Sequence, residues 1–184
     1  MYYNCHSCFS LRYGTLTVED LLDLAEVRGF ECLGLTDINN TSGGLDFVMK
    51  ARKRGIRPIL GIEFRVNNRF RYIGLARNAY GWRGLCEFLS EYGARNNELY
   101  QAVEEVGEGE TRKQGFPERA PEIPETIFIY EFTQAPPLEQ LREHEYVAIR
   151  PRDLNRLYSS PYRYAGQKLV AFAPVTFRNK VGFN

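Results

Sequence analysis

The chain alternates between two apolar patterns. Short apolar runs bounded by polar or glycine-containing turns read as strands, and apolar positions recurring every three or four residues read as helices. Strands are expected at 2–6, 32–35, 57–63, 69–76, 126–130, 146–149 and 168–172. Thr17 before Val18-Glu19-Asp20 is an N-cap with an acidic first turn, and Val18, Leu21, Leu22 and Ala25 follow at helical spacing up to Gly29. A second helix is expected at 45–54, with Leu45, Val48 and Ala51 on one face and Gly55 as its stop. A third spans 82–92, with Leu85, Phe88 and Leu89 inward, and helix is expected to continue over 95–106. Residues 107–125 hold three Pro, three Gly and many charges, which predicts a long, poorly ordered loop. Short helices are expected at 138–143 and 151–158, the latter with Pro151 in its first turn.

Strands separated by helices imply a mostly parallel sheet with right-handed crossovers. Seven strands exceed a minimal open sheet and fit a barrel. The expected fold class is therefore α/β, with surrounding helices, as one domain over 1–184. At 184 residues and 43% hydrophobic, the chain is long enough for a sizeable core.

The net charge of +1 points to no partner. Its distribution is uneven. Residues 50–83 carry ten Lys or Arg and one acid, Glu63, whereas 98–145 carry twelve Glu against four Arg or Lys. Each block reads as a solvated surface; the sharper alternative for the first is a phosphate-facing patch. The four Cys stand at 5, 8, 32 and 86. Cys5 and Cys8 have C-x-x-C spacing, but no second ligand pair exists to complete a zinc knuckle. The sequence holds no signal peptide and no long apolar run, so a cytoplasmic protein with reduced thiols and no membrane contact is expected.

Three predicted strands end by presenting metal-ligand chemistry: His6, Asp37 and Glu63. The C-terminal ends of strands are where α/β barrels carry functional groups. Asn4 and His6, two apart on one strand, face the same side, but a neutral amide is a poor ligand beside imidazole. His6, Asp37 and Glu63 could hold one divalent ion between them, or could hydrogen-bond within the barrel mouth with Arg65 or Arg71. The like charges of Asp37 and Glu63 call for such a cation, and Arg71 is the expected one, pointing into the barrel.

Four ordered stretches carry a family resemblance: Asn4-Cys-His6-Ser-Cys-Phe-Ser-Leu-Arg-Tyr13-Gly, Leu35-Thr-Asp37-Ile38-Asn, Ile56-Arg-Pro-Ile-Leu-Gly-Ile-Glu63 and Leu75-Ala-Arg-Asn-Ala-Tyr-Gly-Trp. They resemble the PHP domain found at the N-terminus of the bacterial DNA polymerase III alpha subunit. The resemblance is densest over 3–92, weaker over 146–184 and loose between. It implies a distorted, TIM-like barrel of seven strands, closed or left open on one side because the family continues past Asn184. Active members are metal-dependent phosphoesterases with up to three ions at the strand ends. Here Asn4 replaces a histidine, Tyr13 an acid and Ile38 a histidine, Arg71 stands where the fourth strand usually offers histidine, and the late Asp-x-His motif is missing. The resemblance thus implies a degenerate metal site, with no catalytic residue and no cofactor.

The function this implies is that of a replicative polymerase's N-terminal domain in DNA replication, silent by itself and structural or partner-binding. Its partners would be the rest of the alpha subunit, a proofreading exonuclease subunit, and DNA through the parent polymerase. Two other readings compete. One is a metal-dependent phosphoesterase or 3′–5′ proofreading hydrolase using His6, Asp37 and Glu63. The other is a nucleic-acid binding module using the cations of 50–83.

Overall fold

The computed structural model describes residues 2–93 and 116–176. Its strands are β1 (Tyr2–Cys5), β2 (Cys32–Leu35), β3 (Arg57–Val66), β4 (Arg69–Ala76), β5 (Thr126–Glu131), β6 (Glu145–Ile149) and β7 (Leu169–Ala171). They form one seven-stranded sheet in chain order. β1, β2 and β3 are mutually parallel, as are β5, β6 and β7; β4 runs antiparallel to both its neighbours.

The sheet curls until its edges meet. Val175, just past β7, bridges to Cys5 of β1 in parallel. Val175 N–H donates to the Asn4 carbonyl at 2.9 Å, and His6 N–H donates to the Val175 carbonyl at 2.9 Å. The two edges of the sheet are therefore joined within the described residues, where the sequence left closure undecided.

Helices α1 (Val18–Val27), α2 (Gly44–Lys53) and α3 (Ala79–Gly93) lie outside the sheet, with a short α4 (Leu154–Tyr158) after β6. Thr17 and Asp20 form the reciprocal capping box expected of a helix start. Gly29 and Gly55 follow α1 and α2 with φ of 66° and 71°, the left-handed conformation that suits glycine. Leu21, Leu22 and Ala25 of α1 pack with Phe47 and Ala51 of α2 against Leu33 and Leu35. On β3, Ile62 and Phe64 face outward to Leu85 and Phe88 of α3. Tyr3, Ile73, Leu75, Ile129, Ala148 and Phe172 fill the interior.

Two expectations need correction. Residues 107–115 lie outside the described residues, but 116–125 are packed, not loose. Phe116 is 3% exposed and meets Phe64 and Phe88 edge-on or tilted. Arg119 of this segment pairs at 2.8 Å with Glu145, a fully buried carboxylate that also accepts from the Tyr130 hydroxyl at 2.8 Å. Proline and charge content signalled a loop, and one aromatic anchor with a buried ion pair fixes it. The helix expected at 95–106 also lies outside the described residues.

The second correction concerns β3 and β4. They form a hairpin around Asn67 and Asn68, whose φ values of 49° and 62° match the two-residue turn that Asn favours. Within it Phe64 pairs with Tyr72 but Arg65 with Phe70, so Arg71 is an unmatched bulge residue. The bulge resets the alternation, and Phe70 joins the interior cluster.

Candidate functional site

The C-terminal ends of β1, β2 and β3 converge at one mouth. His6 follows β1, Asp37 follows β2 and Glu63 lies within β3, where inward-facing positions alternate with the outward Ile62 and Phe64. All three are buried: His6 is 1% exposed, Asp37 2% and Glu63 1%.

Glu63 is saturated with donors. His6 Nε2 lies 3.0 Å from Oε2, and the Asn4 amide donates to the same oxygen at 3.3 Å. The Thr36 hydroxyl donates to Asn4 Oδ1 at 2.9 Å, which turns the Asn4 NH₂ toward the carboxylate. On the other side, Nε and a terminal nitrogen of Arg65 both reach Oε1 at 2.5 Å. The Arg65 guanidinium carbon lies 4.3 Å from the centroid of the Tyr13 ring. Burial pushes the Glu63 carboxyl up, but the bonds and charges of His6 and Arg65 outweigh it and hold it below the ordinary carboxylate value.

Asp37 has a separate shell. Its Oδ1 accepts from the Ser7 N–H and the Ser10 hydroxyl, both at 2.6 Å, and its Oδ2 accepts from the Ser7 hydroxyl at 2.7 Å. Ser10 Oγ in turn accepts from the Ile38 N–H at 3.0 Å. The loop supplying both serines is tight: a Cβ on Gly14 would sit 1.9 Å from the Ser7 carbonyl oxygen, so only glycine fits there. Asp37 and Glu63 do not oppose one another across the mouth. They sit on neighbouring strands, joined by a Glu63 N–H to Asp37 carbonyl bond of 3.2 Å, and each has its own donors.

Of the positions singled out in the sequence, Asn4, His6, Tyr13, Asp37, Ile38 and Glu63 come together. Ile38 contributes only its backbone. Arg71 does not join: it makes no ion pair among the described residues, and its Nε is buried without a hydrogen-bond partner. The bulge is the reason, because it takes Arg71 out of register with Glu63's neighbours. Arg65 makes the ion pair expected of Arg71. Ser7 and Ser10 were missed; their bonds to Asp37 cross 30 and 27 residues and leave no local sequence signal.

The donor set decides whether a divalent ion fits. Every carboxylate oxygen of Asp37 and Glu63 already accepts a hydrogen bond, and a guanidinium stands where positive charge would be bound. Among the described residues no three His, Cys, Asp or Glu side chains are grouped to hold a metal ion. His6 Nδ1, buried and without a partner, is the one unused ligand atom of this trio, and a single nitrogen makes no ion site. Cys5 and Cys8 are both free thiols; Cys5 is buried beside Asp37 and its pKa is pushed up to about 12, mainly by burial.

Of the ten cations of 50–83, four are ion-paired among the described residues, and Arg52, Lys53, Arg57, Arg69 and Arg77 are exposed without such a pair. Lys50 pairs with Glu19 and Asp46, Arg54 with Asp23 and Glu26, Arg83 with Glu87, and Arg65 with Glu63. No helix among the described residues is long and apolar enough to cross a membrane.

A curled, mainly parallel seven-stranded sheet with helices outside and polar groups at the strand ends is a TIM-like α/β barrel. A solved amidohydrolase from Chromobacterium violaceum shares this fold, with a TM-score of 0.56 at 13% identity, covering 100% of this chain and 90% of that one. Residues 3–123 match the PHP domain family, and the chain belongs to it. It is 35% identical over 85 residues to an error-prone DNA polymerase of Symbiobacterium thermophilum, covering 46% of this chain. It is 34% identical over 87 residues to a DNA polymerase III alpha subunit of Ureaplasma parvum, covering 47% of this chain. The matched stretch spans only 8% and 9% of those relatives' own lengths.

Proposed function

We propose that this chain is the PHP domain of a replicative DNA polymerase III alpha subunit and that it is structural and partner-binding, with a degenerate metal site. Its partners are then the rest of that subunit and a proofreading exonuclease subunit, with DNA reached through the parent polymerase, a nucleotidyltransferase. The observation that carries the non-catalytic part is the Arg65 guanidinium on Glu63. A cation covalently part of the fold neutralises the carboxylate that a metal-dependent hydrolase would need for its ion. Saturation of Asp37 by two serines supports the same reading.

The test is hydrolysis of bis(p-nitrophenyl) phosphate and of a 3′-labelled oligonucleotide in the presence of Mn²⁺ or Zn²⁺. Rates at the buffer background, unchanged by Glu63→Gln, are expected. Metal-dependent turnover abolished by Glu63→Gln would instead establish the hydrolase.

A further inference from the structure

The sequence pointed to 50–83 as the basic stretch, and there four of the ten cations are matched by acids among the described residues. A second group of unmatched cations, with aromatic rings among them, lies elsewhere. Residues 150–168 leave the C-terminal end of β6 and return to the start of β7. They hold Arg150, Arg152, Arg156, Arg163 and Lys168 against a single acid, Asp153. Asp153 is buried and accepts from the Arg150 N–H at 3.0 Å, and the segment keeps an excess of positive charge. Arg150 and Arg152 share Glu131. Arg156 and Arg163 are exposed and pair with no carboxylate among the described residues.

Aromatic rings are interleaved with these cations. Tyr158 is 70% exposed and Tyr164 78%, with Leu154 56% exposed beside them in sequence. The Arg163 guanidinium carbon lies 4.5 Å from the Tyr158 ring centroid and 4.6 Å from that of Tyr164. One cation therefore holds both rings together. Tyr162 between them is the anchor: it is 7% exposed and donates its hydroxyl to the Pro136 carbonyl. Tyr162 thus fixes the backbone that carries Arg163 and Tyr164 before any partner arrives.

We propose that Arg156, Tyr158, Arg163 and Tyr164 form a docking surface for single-stranded nucleic acid. Exposed rings ordered by an arginine, beside uncompensated guanidinium groups, match a ligand that offers both phosphates and unstacked base faces. A duplex hides its base faces from the rings, and an acidic peptide offers charge without a stacking partner. The surface is independent of the mouth residues and of whether the mouth is catalytic.

The experiment is fluorescence anisotropy of a labelled oligo(dT) titrated with the full 184-residue chain in EDTA, over a series of salt concentrations. Binding is expected, with affinity falling as salt rises. The pair Arg156→Ala and Arg163→Ala should lower the slope of log K against log salt by about 0.7 for each phosphate left without its arginine. Tyr158→Ala or Tyr164→Ala should weaken binding roughly 5- to 150-fold. Tyr158→Phe and Tyr164→Phe keep the rings and should keep the affinity, which separates stacking from damage to the fold. Arg52→Ala with Lys53→Ala, in the other basic block, should change little. The proposal is overturned by absent binding at low salt, by equal affinity for a duplex or poly-glutamate, or by tyrosine variants that bind like the parent chain.

Discussion

Replacing Arg65 by alanine leaves Glu63 buried, charged and short of its strongest partner. The carboxylate is 1% exposed and the arginine side chain 17%, so water screens the pair little. Removing one member of such a pair costs about 3–5 kcal/mol, because the remaining charge stays desolvated. Glu63 keeps His6 and Asn4 as donors, which places the cost near the low end of that range. Loss of the stack on half-buried Tyr13 adds about 0.5–1 kcal/mol. Arg65→Ala should therefore destabilise the chain by about 3–4 kcal/mol, a fall in Tm of about 10 °C for a chain of this length. Arg71→Ala is the control. It breaks no ion pair and removes a buried Nε that has no partner, so it should cost under about 1 kcal/mol or nothing. Urea unfolding of both variants, with Glu63→Ala and the Arg65→Ala/Glu63→Ala double variant, closes a cycle whose coupling should reach about 2 kcal/mol. A cost for Arg65→Ala below about 1 kcal/mol, or a larger cost for Arg71→Ala, would refute the reasoning.

The depressed Glu63 carboxyl also sets an acid limit. A group with a lowered folded pKa contributes fully above its ordinary value of 4.5, and that stability is lost as pH falls through the folded value. Unfolding measured from about pH 6 to about pH 2 should show the loss beginning below about pH 4.5, and Glu63→Gln should flatten it, leaving the share of Glu145, which is likewise lowered. Phe116→Ala should cost about 3 kcal/mol by chemical unfolding, because it empties a site packed by Phe64 and Phe88; a value near zero would mean that 116–125 is not held down. Ser10→Ala removes both a donor to Asp37 and the acceptor of the Ile38 N–H, so a loss of about 1–3 kcal/mol is expected in the same assay.

Some of this was legible in the residue pattern and some was not, for physical reasons. β2 and β4 were placed to the residue, because apolar runs between polar turns have few alternatives. The N-cap at Thr17 was visible because its bond to the Asp20 N–H spans three residues. His6 and Asp37 were visible because strand ends are local features, whereas β3 runs on past Glu63 to Val66. The cation that completes them was assigned wrongly, because a bulge is decided by the partner strand and not by the alternation of Arg69, Arg71 and Ile73. The hairpin that creates the bulge did have a signal: Asn67-Asn68 between two alternating runs is a two-residue turn, and it implies an antiparallel pair. The pairs of Lys50 with Glu19 and of Arg54 with Asp23 and Glu26 join two helices across 28 to 31 residues of sequence, so charge counting along the chain could not show them.

The proposed reading makes Arg65, ion-paired with Glu63, the source of the positive charge that a metal would otherwise bring to that carboxylate. Equilibrium dialysis of the chain against Mn²⁺, with metal counted by mass spectrometry, tests this most directly, since manganese favours the nitrogen and oxygen ligands of the mouth over the exposed thiol of Cys8. The chain should retain well under one ion per molecule. Two or three ions per chain, lost on Glu63→Gln, would contradict the account.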